Sequence, residues 1–79
     1  MLSTRSETRV VRGRVAVVQE QRFRLTTDDG RSLLLTLAHG ATADPDDLSR
    51  FHDAGTPVEV EYTGEPNLET AVARAVRPR

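Results

Sequence analysis

The order of hydrophobic patterns along this chain of 79 residues constrains its fold more than any single residue does. Three stretches in which apolar and polar residues alternate come first, a short capped helix over 44–54 follows, and one or two further alternating stretches complete the sequence. Alternation with a period of two is typical of strands that bury one face. We therefore expect a small, mainly β barrel of about five strands, with one helix inserted between the third and fourth strands.

The first predicted strand, 10–18, has an inner face of odd positions and an outer face of even positions. Gly13 interrupts this strand, and its missing side chain permits a sharp bend or a bulge of the kind that closes small barrels. The second and third strands alternate in the same way and place large apolar residues inward. The positions expected to point inward are Val11, Gly13, Val15, Val17, Phe23, Leu25, Leu33, Leu35 and Leu37.

The length of the loop between the second and third strands follows from which residues point inward, because directly opposed residues of an antiparallel pair share a face. A two-residue turn at 29–30 would bury Thr36. A three-residue loop, 28–30, instead keeps the leucines opposite one another and puts Gly30 where a turn followed by a bulge needs a positive φ. We predict the three-residue loop. The neighbours that it implies across the two strands are Leu25 and Leu33, Phe23 and Leu35, Arg24 and Leu34, and Arg22 and Thr36.

The helix has clear signals at both ends. Asp44 can cap its first turn, Pro45 suits the first helical position, and Gly55 ends it. Leu48 and Phe51 are three residues apart and share one side of the helix. We therefore expect the two side chains to close one end of the barrel.

The last two segments differ in clarity. Residues 57–63 alternate as a strand, whereas 68–76 carries two patterns at once. Leu68, Val72 and Val76 recur every four residues as on a helix, yet the alanines at 71, 73 and 75 alternate as in a strand that faces a crowded interior. A barrel needs a fifth strand to cover the edges of its neighbours, so we predict a strand here.

With this order of elements, residues 9–77 resemble the OB-fold superfamily, and we expect them to form a single OB-like domain after a flexible N-terminal segment at 1–8. The chain is also similar to a group of small stand-alone uncharacterised bacterial OB-like proteins. The resemblance implies a ligand face on the outer side of strands one to three, between the first loop and the loop joining strands four and five. The motifs that carry it are Gly13-Arg14-Val15, Phe23-Arg24-Leu25, Asp28-Asp29-Gly30-Arg31 and Val58-Glu59-Val60-Glu61-Tyr62.

The charge is unevenly distributed over the chain. Residues 1–24 contain six arginines and two glutamates, whereas residues 25–79 contain five arginines and ten acidic residues. Two of the outward arginines, Arg12 and Arg14, have an alternative structural role, because they can pair across strands with Glu59 and Glu61. The residues that we predict to form a ligand or partner face are Arg12, Arg14, Ala16, Val18, Arg22, Arg24, Leu34 and Thr36.

These features favour a binding or adaptor module over an enzyme. A mixed apolar and guanidinium surface is typical of contacts with proteins, so our first hypothesis is contact with a protein partner or with a second copy of the chain. Weak binding of single-stranded nucleic acid is the alternative, although Phe23 and Tyr62 have inward parity and so cannot stack on bases.

The sequence gives little support for catalytic activity, metal binding or membrane insertion. His39 and His52 are the only histidines, and cysteine is absent. Turn formation and helix capping account for the clustered aspartates, so we expect no catalytic residues, no metal site and no cofactor. A small enzyme remains the least favoured alternative. The apolar runs are far shorter than the roughly 20 residues that span a bilayer, and we expect a cytoplasmic protein without membrane contact.

Overall fold

A computed structural model of the chain describes residues 8–68 and 71–79. The flexible N-terminal segment predicted over 1–8 therefore lies outside the described residues, except for the exposed Thr8. No helix in the described part of the chain is long and apolar enough to span a membrane. In chain order the elements are β1 (Arg9–Gln19), β2 (Arg22–Thr27), β3 (Ser32–Leu37), α1 (Pro45–Ala54), β4 (Pro57–Thr63) and β5 (Val72–Pro78).

The strands form a closed barrel in the order β1-β2-β3-β5-β4, and β4 pairs again with β1. All neighbouring strands are antiparallel except β3 and β5, which run parallel. The helix α1 separates β3 from β4 in sequence. This architecture confirms the predicted fold class and is compatible with an OB-like fold.

The interior of the barrel is filled by apolar side chains from all five strands and from α1. Each large side chain that is removed from water contributes roughly 1.5–3 kcal/mol to folding. The core is therefore the main source of stability in a chain that has no cysteine. The largest fully buried side chains are Phe23, Leu25, Leu35, Leu48, Val58 and Val60.

The helix begins and ends as predicted. The Asp44 carboxylate accepts a hydrogen bond from the backbone N–H of Asp47 at 2.9 Å, and the Asp47 carboxylate accepts one from the Asp44 N–H at 3.1 Å. Gly55 follows the last turn with φ 65°. Leu48 is fully buried and Phe51 packs against the core. Their place at one end of the barrel stays a prediction.

The N–H of Thr27 donates to the carbonyl of Arg31 at 2.8 Å, so these two residues close a loop of three residues, 28–30, as predicted, and Gly30 has φ 91°. The hydroxyl of Thr27 accepts a hydrogen bond from the Arg31 N–H at 2.8 Å and donates one to Asp29. The hydrogen bonds that the Thr27 hydroxyl and the Arg31 guanidinium donate to Asp29 lower the pKa of the Asp29 carboxyl. The predicted neighbours across the two strands are also confirmed: Leu25 and Leu33, Phe23 and Leu35, Arg24 and Leu34, and Arg22 and Thr36.

A β-bulge at Ala16 reverses the predicted orientation of the residues that follow it in β1. The register with β2 shifts between Val15 and Val17. One extra residue moves all later side chains to the opposite face of a strand. Val17, predicted to point inward, is therefore exposed, and Val18, predicted to point outward, packs against the core opposite Phe23.

Gly13 is not the bulge that closes the barrel. It lies where β1 is paired on both sides, with Thr27 of β2 and with Val58 of β4. A Cβ atom at this position would lie 2.1 Å from the carbonyl oxygen of Thr26. Glycine is therefore required because the backbone of β2 comes too close to leave room for a side chain.

The final segment is extended, which confirms the predicted strand over the competing helix. It begins later than predicted, because Leu68 lies in an exposed turn. The part of the prediction that covers residues 69 and 70 lies outside the described part of the chain. Val72 is the first residue of β5 and pairs with Thr36 of β3. The strand also extends to Pro78, beyond the predicted end at residue 76.

An ion pair between Asp28 and Arg79 joins the end of the chain to the β2–β3 loop. The guanidinium of Arg79 donates to both carboxylate oxygens of Asp28, at 2.7 and 3.3 Å. The backbone N–H of Arg79 also donates to the carbonyl of Pro57 at 2.9 Å. The hydrogen bond from Arg79 lowers the pKa of the Asp28 carboxyl, and the charges of Arg79, Arg14 and Arg12 act in the same direction.

We expect Gly13→Ala to lower the free energy of unfolding by roughly 3 kcal/mol, because the added methyl group collides with the Thr26 carbonyl. Urea unfolding measures the change. Gly40→Ala is the control, since Gly40 has φ 77° but no atom lies within 4 Å of a Cβ built there. Backbone strain alone makes the control lose about 1 kcal/mol. An equal loss in both variants would contradict the close approach of β2 to Gly13.

The Asp28–Arg79 pair predicts a dependence of stability on pH. Because the folded-state pKa of Asp28 is lowered, the stabilisation is present above the ordinary carboxyl pKa and is lost as the pH falls through the folded-state value. Arg79→Gln should raise the pKa of Asp28 toward its ordinary value, as measured by NMR titration of the carboxyl carbon. Arg74→Gln, on an exposed position of β5, is the control. If the pKa of Asp28 is the same in both variants, the ion pair does not form in solution.

Candidate functional site

The outer surfaces of β1, β2 and β3 form one continuous face, because these strands are neighbours in the barrel. Their register arranges the outward side chains in three rows that cross the strands. We call these nine residues the outer face. The rows are Gln19, Arg22 and Thr36; Val17, Arg24 and Leu34; and Arg14, Thr26 and Ser32.

The outer face carries three arginines and no acidic residue. The Nε of Arg14 donates to the carbonyl of Gly55 at 3.1 Å, which holds this side chain beside the end of α1. Arg24 donates to the hydroxyl of Ser32 at 3.2 Å. The guanidinium of Arg22 makes no hydrogen bond or ion pair with any described residue. Within the described part of the chain, none of the three arginines forms an ion pair.

Apolar side chains lie beside these arginines. Val17 is 47% exposed, and the half-buried Leu34 occupies the other side of Arg24 in the same row. Leu68 lies next to Leu34 and is 60% exposed. Exposed leucine and valine beside guanidinium groups give the mixed character that is typical of contacts between proteins.

A groove with a volume of about 420 Å³ lies where β3 meets the loop between β4 and β5. The loop is fixed to the strand by Asn67, whose Oδ1 accepts from the Leu34 N–H at 2.6 Å. The N–H of Asn67 in turn donates to the Leu34 carbonyl at 3.1 Å. These two hydrogen bonds replace the strand pairing that β3 lacks at Leu34. The groove is therefore formed in the absence of a ligand. Its lining residues are Arg22, Leu34, Thr36, Asn67 and Leu68.

The groove offers hydrogen-bond donors beside apolar surface, and no acidic side chain lines it among the described residues. Its donors are the guanidinium of Arg22, the hydroxyl of Thr36 and the Nδ2 of Asn67. No described residue accepts a hydrogen bond from these three groups. Planar guanidinium groups bind carboxylates through two parallel hydrogen bonds, so the groove is chemically suited to a carboxylate next to an apolar group.

Arg12 lies beyond the outer face and is held by β4. Its Nε donates to Glu59 at 3.2 Å, so Arg12 takes the structural role that the sequence offered as an alternative. Arg14 does not take this structural role, because its Nε donates to the Gly55 carbonyl, and Glu61 binds Arg77 of β5. The hydrogen bond to Glu61, with a smaller effect of Glu59, raises the pKa of the Arg77 guanidinium.

The bulge also removes two predicted residues from the outer face. Ala16 is the bulged residue and is half-buried, and Val18 is turned toward the core. Val17 and Gln19 take their places opposite Arg24 and Arg22. The predicted face residues that the structure does bring together are Arg14, Arg22, Arg24, Leu34 and Thr36.

The described aromatic and histidine side chains are elsewhere. Phe23 and Tyr62 are 1% and 6% exposed, which confirms their predicted inward orientation. His39 is exposed after β3, and the exposed His52 has its Nδ1 3.1 Å from the Asp53 carboxylate. Within the described ranges, no group of three or more histidine, cysteine, aspartate or glutamate residues is placed to hold a metal ion.

Among the described residues, the outer face and its groove thus combine an unpaired guanidinium, exposed apolar groups and a preformed depression. Comparisons with protein-family models, curated proteins and solved structures find no match to the chain. The function must therefore be inferred from the chemistry of this surface.

Four residues of the site were not predicted from the sequence: Val17, Gln19, Asn67 and Leu68. The run at 15–18 is apolar at every position, so alternation gives no sign of a bulge. Asparagine tolerates a positive φ, and Asn67 has φ 71° within a turn-forming segment, which is a usable signal. Its partner Leu34 is 33 positions away, however, and no local pattern connects the two residues.

Alanine substitutions at Val17 and Val18 test the position of the bulge. Val18→Ala should lower the free energy of unfolding by about 1 kcal/mol or more, because it removes methyl groups that pack against the core. Val17→Ala, the matched control on the exposed side, should stay within about 0.5 kcal/mol of the parent chain. Urea unfolding of both variants gives the comparison. The opposite order would mean that β1 continues without a bulge.

Proposed function

We propose that this chain is a non-enzymatic OB-like binding module whose outer face binds a protein partner that presents carboxylates and apolar side chains. The observation that carries the proposal is the middle row of the outer face. There Arg24 lies between the exposed Val17 and the half-buried Leu34. Arginine is enriched at protein interfaces because its guanidinium binds carboxylates while its stem packs on apolar groups.

The charge of the outer face specifies the partner. Its arginines have no acidic neighbour within the face, so a partner with carboxylates gains favourable charge pairs. A carboxylate bound to Arg22 in the groove would have apolar surface from Leu34 and Leu68 beside it. An extended segment in which acidic and apolar residues alternate fits this arrangement, because successive side chains of such a segment point to opposite sides.

A second copy of the chain is a poorer partner for this face. Most homodimers are related by a twofold axis, which brings the same surface of each copy together. On the outer face, a twofold contact would place the charges of Arg14, Arg22 and Arg24 against the same charges of the copy. Like charges at an interface cost energy, so the charge pattern favours a different, acidic protein.

Single-stranded nucleic acid is the second candidate, and the unpaired guanidinium of Arg22 is the observation that favours it. Bases that stack on aromatic side chains contribute roughly 1–3 kcal/mol each in proteins that bind single strands. The outer face offers no such platform, since Phe23 and Tyr62 are buried.

The proposal includes the finer identity expected from the sequence: membership of the OB-fold superfamily, likeness to the small bacterial OB-like proteins, and a cytoplasmic location. The order β1-β2-β3-β5-β4 and the helix before β4 support the first. The absence of cysteine from the sequence agrees with a reducing compartment.

A peptide titration tests the proposal. The probe is a fluorescent peptide of alternating glutamate and valine, and its matched control is a peptide of alternating lysine and valine. We expect saturable binding of the first peptide by anisotropy, with amide chemical-shift changes at Arg22, Arg24 and Leu34. The lysine peptide should not bind, because the arginines of the outer face repel it. Equal binding of both peptides, or shifts confined to other surfaces, would contradict the proposal.

Variants separate charge recognition from non-specific attraction. The double variant Arg22→Gln, Arg24→Gln should weaken binding of the glutamate peptide at least tenfold, because each lost charge-assisted hydrogen bond contributes about 1.5–3 kcal/mol. The single variant Leu34→Glu should also weaken binding, because the added carboxylate repels the glutamates of the peptide. Arg12→Gln is the control, since Arg12 is held by Glu59 outside the face. If oligo(dT) binds more tightly than the peptide, with a log–log salt slope of about −0.7 per phosphate contact, the nucleic-acid candidate is correct instead.

A further inference from the structure

The first half of β1 presents a second surface, separate from the outer face. Strand β4 pairs with β1 from Arg9 onward, whereas β2 pairs with it only from Gly13 onward. The side of Arg9–Val11 that would face β2 therefore has no strand beside it in the described part of the chain. An unpaired edge of this kind is a template for a further strand.

The direction of the backbone groups at this edge follows from one hydrogen bond. The carbonyl of Arg12 accepts from the Asp28 N–H at 2.9 Å, so the backbone of Arg12 points to the β2 side. Alternate residues of a strand direct their N–H and C=O groups to the same side. Val10 therefore also points to the open side, and no described residue is bonded to its N–H or C=O.

The open edge is accessible and partly apolar. A groove with a volume of about 430 Å³ lies between Val10–Arg12 of β1 and the tip of the β2–β3 hairpin. The side chain of Val10 is 57% exposed. An incoming strand would thus find both free backbone groups and an apolar side chain at the centre of the edge.

The charged groups around this groove are already paired. Arg12 is bonded to Glu59, Asp28 to Arg79, and Asp29 to Arg31. A second copy that approaches this edge therefore meets no unneutralised like charge among these groups, in contrast to the outer face. The charge pattern that disfavours self-contact on the outer face permits it here.

We propose that this edge pairs antiparallel with the same edge of a second copy, about a twofold axis that passes beside Val10. The N–H of Val10 then donates to the carbonyl of Val10 in the copy, and the reverse bond forms by symmetry. The two exposed Val10 side chains become neighbours and are shielded from water. The result is a sheet in which β4 and β1 of one copy continue into β1 and β4 of the other.

The hairpin tip limits the length of this pairing. The Arg12 carbonyl is already bonded to the Asp28 N–H, and the hairpin tip lies beside this end of β1, so the paired segment covers only about the three residues at 9–11. An interface this small is below the size of stable dimers. The dimer is therefore weak and forms only at high protein concentration.

Amide hydrogen exchange measured by NMR at low and high protein concentration tests the pairing directly. The Val10 amide should exchange rapidly in dilute solution and at least tenfold more slowly in concentrated solution. The Val11 amide, which points to β4, is the internal control and should be protected at both concentrations. Sedimentation over the same range should show a shift from monomer to dimer. A monomer at every concentration, or a Val10 amide protected equally throughout, would overturn the proposal.

Matched variants locate the contact. Val10→Pro removes the N–H that bonds to the copy and leaves the β1–β4 hydrogen bonds in place, and Val10→Lys adds a repelling charge while keeping the N–H. Both should remain monomeric, and circular dichroism verifies their folding. Val17→Lys introduces the same charge at a comparably exposed position of the outer face and should dimerise like the parent chain. If Val17→Lys abolishes the dimer and Val10→Lys does not, the copies meet through the outer face, and the edge proposal is wrong.

Discussion

The barrel depends on the hydrogen bonding of β1 to two neighbours, β4 along its first half and β2 along its second half. The two pairings overlap at Gly13 and Arg14, where the three strands lie side by side. The carbonyl of Thr26 occupies the space of a Cβ atom at Gly13, so β2 can reach this position only because the residue has no side chain. The enclosed core, and with it most of the stability, follows from this contact.

The same strand shapes both surfaces to which we assign contacts. After Gly13, the bulge at Ala16 turns Val17 outward and completes the middle row of the outer face. Before Gly13, β2 is absent and the backbone of Val10 stays open. The surfaces differ in charge, since Arg22 is unpaired among the described residues, whereas the ions around Val10 are paired. They therefore select different partners.

Elements with strong local signals could be predicted from the sequence. Asp44 and Gly55 define the ends of the helix, and the parity of the leucines defines the β2–β3 register with Gly30 at its loop. Features that depend on contacts between distant residues could not. Nothing local distinguishes a bulge at Ala16 within an apolar run, and nothing local indicates that Arg14 binds the carbonyl of Gly55 in preference to a glutamate.

For the candidate site, strand parity identified the arginines of β2 and the neighbouring residues of β3. The groove was not predictable, because one wall comes from the loop that Asn67 fastens to Leu34. The residues that line the groove are therefore different from those that form the core of the barrel. Leu68 lines the groove but lies outside the core cluster, so natural selection can exchange it and alter ligand preference while the barrel keeps its stability. New specificity can evolve at this position without a compensating mutation in the scaffold.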